Sequence, residues 1–467
     1  ANPLRLSFST PALSMNANNN LLISSYFHLL HSSPTPRHLR HLHGRLIRLG
    51  LHSNVILSTK LLLAYSDPHR LIRSSLSLFL HHMPRRNSFS WNSILSQLSR
   101  SALPLECLRI FLSMRSRGLR VDEFTLPPVL RSCASAGAAG SGASIHGLSA
   151  KLGLDGNPFV ASALVFFYVA VSSISHARKV FDEIPHRDCV LWTSMVSGYA
   201  QRGEPALALG VFREMLRDGV GIDDVVAVSL LLACGQLGSL RQGRSVHGLC
   251  IRRKFGLPLS LGNALVDMYV KCGAFGYAER VFTSMAVRDV ISWSALVLGH
   301  GLNGHADAAL KLFEKMLEEG VMPNSVTFLG VLSACVHSGM VERAWEFFHL
   351  MKQCKVEPEL KHYACIVDGL GRAGRVAEAE KFMEEMPMEP DEAVLGALLF
   401  GCRVHGNIDV GERVARRLMA MRPDKSGYYA ILANMYSDAG RFEDADRVRS
   451  FMRKMNVDKL PGRSLIE

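Results

Sequence analysis

Residues 189 to 223 read CVLWTSMVSGYAQRGEPALALGVFREMLRDGVGID, and the landmarks of this stretch return along the chain at one interval. Trp91, Trp192 and Trp293 are spaced 101 and 101 residues apart. Cys133, Cys234 and Cys335 share that spacing, as do the pairs Arg187-Asp188 and Arg288-Asp289. The period is composite, because WTSMVSGY, LVFFYVAV and the S-[IV]-H-G segments around His146 and His247 are three versions of one shorter unit, of 35, 35 and 31 residues. Self-similarity at this length marks a helical-repeat solenoid, in which no unit can bury its apolar face alone.

Within the quoted stretch Trp192, Met195, Val196 and Tyr199 fall at i, i+3, i+4 and i+7, which places one apolar stripe on a first helix. Gly203 ends it. A second stripe, Ala208, Val211, Phe212 and Met215, runs from just after Pro205 to Gly219, residues suited to a helix start and a helix end. The unit is therefore a helical hairpin, and the chain an all-α array of such hairpins.

The chain has 467 residues, more than one ordinary core, yet no composition shift or Ser/Pro linker divides its middle, as a continuous stack requires. Its net charge of +12 suits a polyanionic partner. The ten cysteines include no C-x-x-C pair and three share one register on apolar stripes, so they are expected to be reduced structural thiols, with no zinc and no disulfide. No cofactor is expected.

Residues 1 to 19 are Ser- and Asn-rich without a helical period, and Asp67 is the first acidic residue. Such a start resembles a transit-peptide remnant or a disordered tail. Repeats are expected from Asn20, with His43, His146 and His247 in one register. At about 10 Å per helix layer these histidines cannot meet around a metal, which makes them turn or packing residues. GAAGSGAS from Gly137 lacks the Lys-Ser/Thr ending of a phosphate-binding loop and reads as an inter-helix loop. VASALVFFYVAV from Val160 is too short to cross a membrane and reads as a buried repeat helix.

The [FVI]-x-W-[NTS]-x-[ILM] unit around the three tryptophans, the closing F-D-E-I-P-x-R-D, and HYACIVDGLGRAG from His362 resemble plant pentatricopeptide repeat proteins of the PLS type. The resemblance implies a right-handed superhelical solenoid with L, S and P repeats at 20–54, 55–87, 88–122, 123–157, 158–188, 189–223, 224–258, 259–289 and 290–324, then L-like 325–359 and S-like 360–391. Residues 392–467 resemble the family's two E motifs, helical hairpins closed by KLPGRSLIE. Leu395 and Leu465 stand where the family generally has tryptophan.

The resemblance further implies sequence-specific binding of single-stranded RNA, one base per P or S repeat, through the fifth and last residues of each. The pairs are Thr59 with Asn87, Asn92 with Asp122, Ser162 with Asp188, Thr193 with Asp223, Asn263 with Asp289, and Ser294 with Asn324. Taken by itself, a Ser, Thr or Asn beside a helix start is a first-turn or N-cap group. The Asp or Asn that closes each repeat is what a cap at the other end leaves unexplained. A closing Asp offers only acceptors and suits the ring N–H of guanine or uracil, while Asn can donate to adenine or cytosine. A short hydroxyl at position five leaves room for a purine, and Asn reaches a pyrimidine. In order the pairs spell nAUnGGnUAnn, with apolar neighbours stacking on the bases and Lys and Arg tracking phosphates.

Relatives with E motifs usually direct C-to-U editing of mitochondrial or chloroplast transcripts. Neither the H-x-E nor the zinc C-x-x-C of a deaminase occurs in this sequence. The expected role is therefore a non-enzymatic specificity factor, with a DYW-type cytidine deaminase recruited in trans and accessory organellar editing factors as further partners. A tetratricopeptide-like peptide scaffold and an RNA splicing or stability factor are the alternatives.

Overall fold

The computed structural model describes residues 12–31, 36–65, 72–185 and 187–454, and among these there are helices and turns but no strand. The chain divides into two compact units, Ala1–Ile222 and Asp223–Glu467. Each is a run of helical hairpins. In the first unit the hairpin of the quoted stretch pairs Cys189–Gln201 with Pro205–Arg217. In the second, Val290–Leu302 pairs with Ala306–Glu318 in the same way. Within each unit first helices pack on the first helices of neighbouring hairpins, and each second helix packs on the first helix of its own hairpin.

The local signals account for these boundaries. Pro205 and Pro104 open second helices, where a missing N–H costs nothing. Gly203 and Gly304 hold φ of 71° and 76° in the turns between the two helices of a hairpin, the left-handed region where a Cβ is penalised. Trp192, Met195 and Val196 are buried and Tyr199 nearly so, as the stripe requires.

The tryptophans are the centre of each three-repeat block. Trp91, Trp192 and Trp293 are at most 2% exposed. Each meets a phenylalanine of the preceding repeat edge to face, Phe79, Phe181 and Phe282, at 4.8, 4.7 and 4.7 Å. Truncating one of them to Ala would cost about 3–5 kcal/mol. The Arg of the R-D pair completes this joint. Arg187 donates from Nε and Nη2 to the carbonyls of Phe181 and Asp182 at 3.0 and 3.1 Å, and its guanidinium lies over the rings of Phe181 and Trp192.

The histidines are packing residues. His43, His146 and His247 each place Nδ1 within 2.7–2.9 Å of a tyrosine hydroxyl 22 residues on, those of Tyr65, Tyr168 and Tyr269. Burial lowers the pKa of all three. The cysteines are free thiols, and burial pushes Cys133, Cys234 and Cys335 up to about 11. Among the described residues no group of His, Cys, Asp and Glu could hold a metal, and no helix is long and apolar enough to cross a membrane.

One expectation is corrected. GAAGSGAS is a loop only at Gly137 and Ala138, for the helix Ala139–Lys151 begins inside it. Gly142 lies against the Phe167 ring so closely that a Cβ would sit 2.0 Å from it, so tertiary packing selects glycine within a helix. Residues 12–19 open the helix Ala12–His31. Residues 1–11 and KLPGRSLIE lie outside the described residues.

Candidate nucleic-acid interface

In five of the six pairs the closing residue lies one position before the first helix of the next repeat, and there it is an N-cap. The Oδ1 of Asn87 accepts from the Ser90 N–H at 2.9 Å, that of Asp188 from Leu191 at 2.8 Å, and that of Asp223 from Val226 at 2.8 Å. Asp289 and Asn324 do the same for Ser292 and Thr327, both at 3.0 Å. Asp122 accepts from Phe124 and Thr125 in the turn before Leu126–Ser135. The recurrence of Asp and Asn at these positions therefore has a local cause that the sequence argument set aside, since each exposed helix end needs an acceptor. The cap also orients the side chain. Reversing an Asn amide would set its NH2 against a helix N–H, so Asn87 and Asn324 keep Oδ1 toward the helix.

The fifth residue sits one turn into the first helix. The hydroxyls of Thr59, Ser162, Thr193 and Ser294 donate to the carbonyls of Val55, Pro158, Cys189 and Val290, four residues back, at 2.6–2.8 Å. The first-turn role is thus real for these four, and Asn92 and Asn263 depart from it.

Three of the six pairs are joined directly. Asn92 donates from Nδ2 to both carboxylate oxygens of Asp122 at 2.9 and 3.1 Å. Asn263 donates to Asp289 at 3.1 Å, and Ser294 to Asn324 at 3.1 Å. No hydrogen bond joins Thr59 to Asn87, or Ser162 to Asp188, among the described residues. Thr193 lies in the first compact unit and Asp223 opens the second. Burial works against ionisation of Asp289. The Ser292 N–H, the Asn263 amide, the Ser292 hydroxyl and the Ile291 N–H outweigh it and hold the carboxyl below its usual range.

A second row of residues was not named from the sequence. The second residue of six repeats, Ile56, Phe89, Phe124, Phe159, Val190 and Ile291, is apolar yet 59–68% exposed. These side chains stand beside the caps on first-helix N-termini and do not join the core. Their signal was available, as an apolar residue out of phase with the buried stripe of its own helix. Repeat 259–289 breaks the row with Ser260, and repeat 360–391 breaks it with Lys361, whose ammonium pairs with Glu359 at 3.1 Å.

Comparison with known proteins matches this arrangement. The chain is 54% identical over 441 residues to the pentatricopeptide repeat-containing protein At4g14170 of Arabidopsis thaliana, covering 94% of this chain and 92% of that one. The chain belongs to the pentatricopeptide repeat family. Within this pentatricopeptide repeat protein the PPR repeat matches residues 89–119, 190–220 and 326–356, further PPR repeats match 288–337 and 355–387, and the E motif matches 405–467. Arabidopsis relatives include At3g13770, named mitochondrial, at 39% identity over 91% of this chain and 68% of its own length. Another, At1g11290, named chloroplastic, is 37% identical over 92% of this chain and 53% of its own. Among solved structures, PPR10 from maize has the same fold, at 17% identity and a TM-score of 0.57, over 90% of this chain and 67% of that one. PPR10 in complex with an 18-nt psaJ RNA element aligns with a TM-score of 0.50, at 17% identity, over 93% of this chain and 79% of that one.

Proposed function

We propose that this pentatricopeptide repeat protein binds single-stranded organellar RNA and selects the site at which a separate cytidine deaminase converts C to U. The observation that carries the reading is the pairing of two rows in one register: exposed apolar second residues beside polar pairs at the fifth and closing positions. Apolar faces suit the π-face of any base, and the polar pair suits its edge. A peptide scaffold needs neither at a fixed interval.

The caps supply the chemistry of discrimination. A capped Asn spends Oδ1 on the helix and offers Nδ2, a donor for the bare ring nitrogen of adenine or cytosine. A capped Asp offers a second oxygen that can only accept, which suits the ring N–H of guanine or uracil. The six pairs then select nAUnGGnUAnn. The E motif supports editing as the outcome, and the organellar names of relatives support a mitochondrial or chloroplast location. The PLS order of repeats agrees with both. The reading assigns deamination to a DYW-type enzyme working with accessory editing factors, since residues 1–467 themselves carry neither the zinc nor the general-acid motif.

The test compares organellar transcripts from plants with and without the protein. Loss of editing at a cytidine preceded by nAUnGGnUAnn, ending four nucleotides upstream, is the expected result. Normal editing with altered splicing or transcript ends would overturn the editing role and leave RNA binding standing.

A further inference from the structure

We infer that the third residue after each closing position, represented by Thr125, Ser292 and Thr327, is a positioning residue that sets how sharply a repeat reads its base. The inference rests on the RNA-reading role proposed above and adds a residue to it. Each of the three is fully buried at a first-helix N-terminus, close to its base-reading pair but out of reach of a ligand.

Thr327 shows the arrangement most completely. Its Oγ1 lies 2.7 Å from the Ser294 hydroxyl and 3.0 Å from Asn324 Oδ1, and it accepts the Asn324 N–H at 3.2 Å. One consistent set of protons runs from the Asn324 N–H to Thr327 Oγ1, from Thr327 to Ser294 Oγ, and from Ser294 to the Val290 carbonyl at 2.6 Å, with Asn324 Oδ1 sharing that proton at 3.1 Å. The Thr327 N–H meanwhile donates to Asn324 Oδ1. The oxygen of the Asn324 amide thus takes the Thr327 N–H and a share of the Ser294 hydroxyl proton, which leaves its NH2 to meet a base. Thr125 does the same at another repeat, with Oγ1 2.8 Å from Asn92 Oδ1 and 2.7 Å from Asp122 Oδ1. The Ser292 hydroxyl reaches Asp289 Oδ1 at 3.0 Å.

The contrast within the chain supports the role. All three pairs that hydrogen-bond directly have such a hydroxyl touching the closing side chain. Leu191 occupies the equivalent place after Asp188 and can donate nothing from its side chain, and Ser162 is not bonded to Asp188. Ser90, after Asn87, turns its hydroxyl to the backbone carbonyl of Asn87 at 2.8 Å, and Thr59 is not bonded to Asn87. A hydroxyl is therefore insufficient. It must reach the reading side chains, and where it does the pair is pre-organised before RNA arrives.

The test uses the full chain and 11-nucleotide RNAs that differ only at the ninth base, the one assigned to Ser294 and Asn324. Wild type should prefer A over G by about tenfold or more. Thr327→Val keeps the shape of the side chain and removes the hydroxyl, so that preference should fall to about threefold or less, while discrimination at the sixth base stays unchanged. Thr327→Ser should restore the ninth-base preference. A parallel variant, Thr125→Val, read out as U against C at the third base, serves if Thr327→Val does not fold by circular dichroism. If wild type shows no preference at the ninth base, the assignment of the pair is wrong and the reading beneath it fails. If wild type discriminates and Thr327→Val discriminates equally, or loses affinity for every RNA alike, Thr327 is only a structural cap and the inference is overturned.

Discussion

Asn92 lies with its amide nitrogen 2.9 and 3.1 Å from the two carboxylate oxygens of Asp122, so a fifth residue and a closing residue thirty positions apart satisfy each other in the free protein. On the proposed reading, a base entering this repeat takes over one of these bonds, and the exchange is uneven. The carboxylate remains anchored by the N–H groups of Phe124 and Thr125. The amide is held only by side chains. Recognition by this pair is thus a trade of one hydrogen bond for another, worth a small net energy per base but a larger penalty for the wrong one.

Asp223→Asn should change specificity without changing the fold, because Asn caps a helix about as well as Asp. Asp223 now accepts from the Val226 N–H at 2.8 Å, and Asn would keep that bond through Oδ1 while offering Nδ2 to the base. Preference at the sixth nucleotide should move from G to A, by about 1–3 kcal/mol. Competition between two RNAs that differ only there checks it. Equal weakening toward both RNAs would mark Asp223 as a cap alone.

Affinity for single-stranded RNA should fall steeply between about 50 and 200 mM salt, since a chain of net charge +12 that neutralises several phosphates releases their counterions. Filter binding over a salt series measures the slope. A flat response is the outcome that a peptide-binding scaffold would give.

Stability should decline as the medium is acidified through the histidine range. Burial depresses the pKa of His43, His146 and His247 in the folded chain. Their contribution is complete above the unfolded value of about 6.5 and is lost as pH falls from there through the folded values, because only the unfolded state takes up protons readily. Urea unfolding at pH 7.5 and 5.5 should show the loss. His247→Gln removes one titrating group and should reduce the difference between the two pH values.

Ala102→Gly should stabilise the first unit. Ala102 adopts φ of 54° where Gly203 and Gly304 occupy the same register one and two periods later. Left-handed backbone costs a residue with a Cβ about 1–2 kcal/mol, and the added freedom of glycine in the unfolded chain returns part of that. A net gain of about 0.5–1 kcal/mol is expected from urea or thermal unfolding. An unchanged or lowered midpoint would show that the turn carries no strain at Ala102.

The sequence by itself determined what depends on local periodicity. The 101-residue interval, the Trp192-Met195-Val196-Tyr199 stripe, the Pro205 start and the Gly203 stop are set by neighbours within a few residues, so hairpins and their limits could be read directly. The six fifth-and-closing pairs were named through resemblance to the family, and the repeat carries them along the chain in one register. Tertiary structure alone decided which of those pairs touch, because the partners lie on separate helices 26 to 30 residues apart, and a buried hydroxyl such as Thr327 settles the outcome. It also decided that a glycine-rich run is helical, through the Phe167 ring against Gly142, and that each periodic histidine meets a tyrosine 22 residues on. Local sequence fixes the conformation of a turn of helix, whereas a contact between helices depends on how two distant side chains share one buried space.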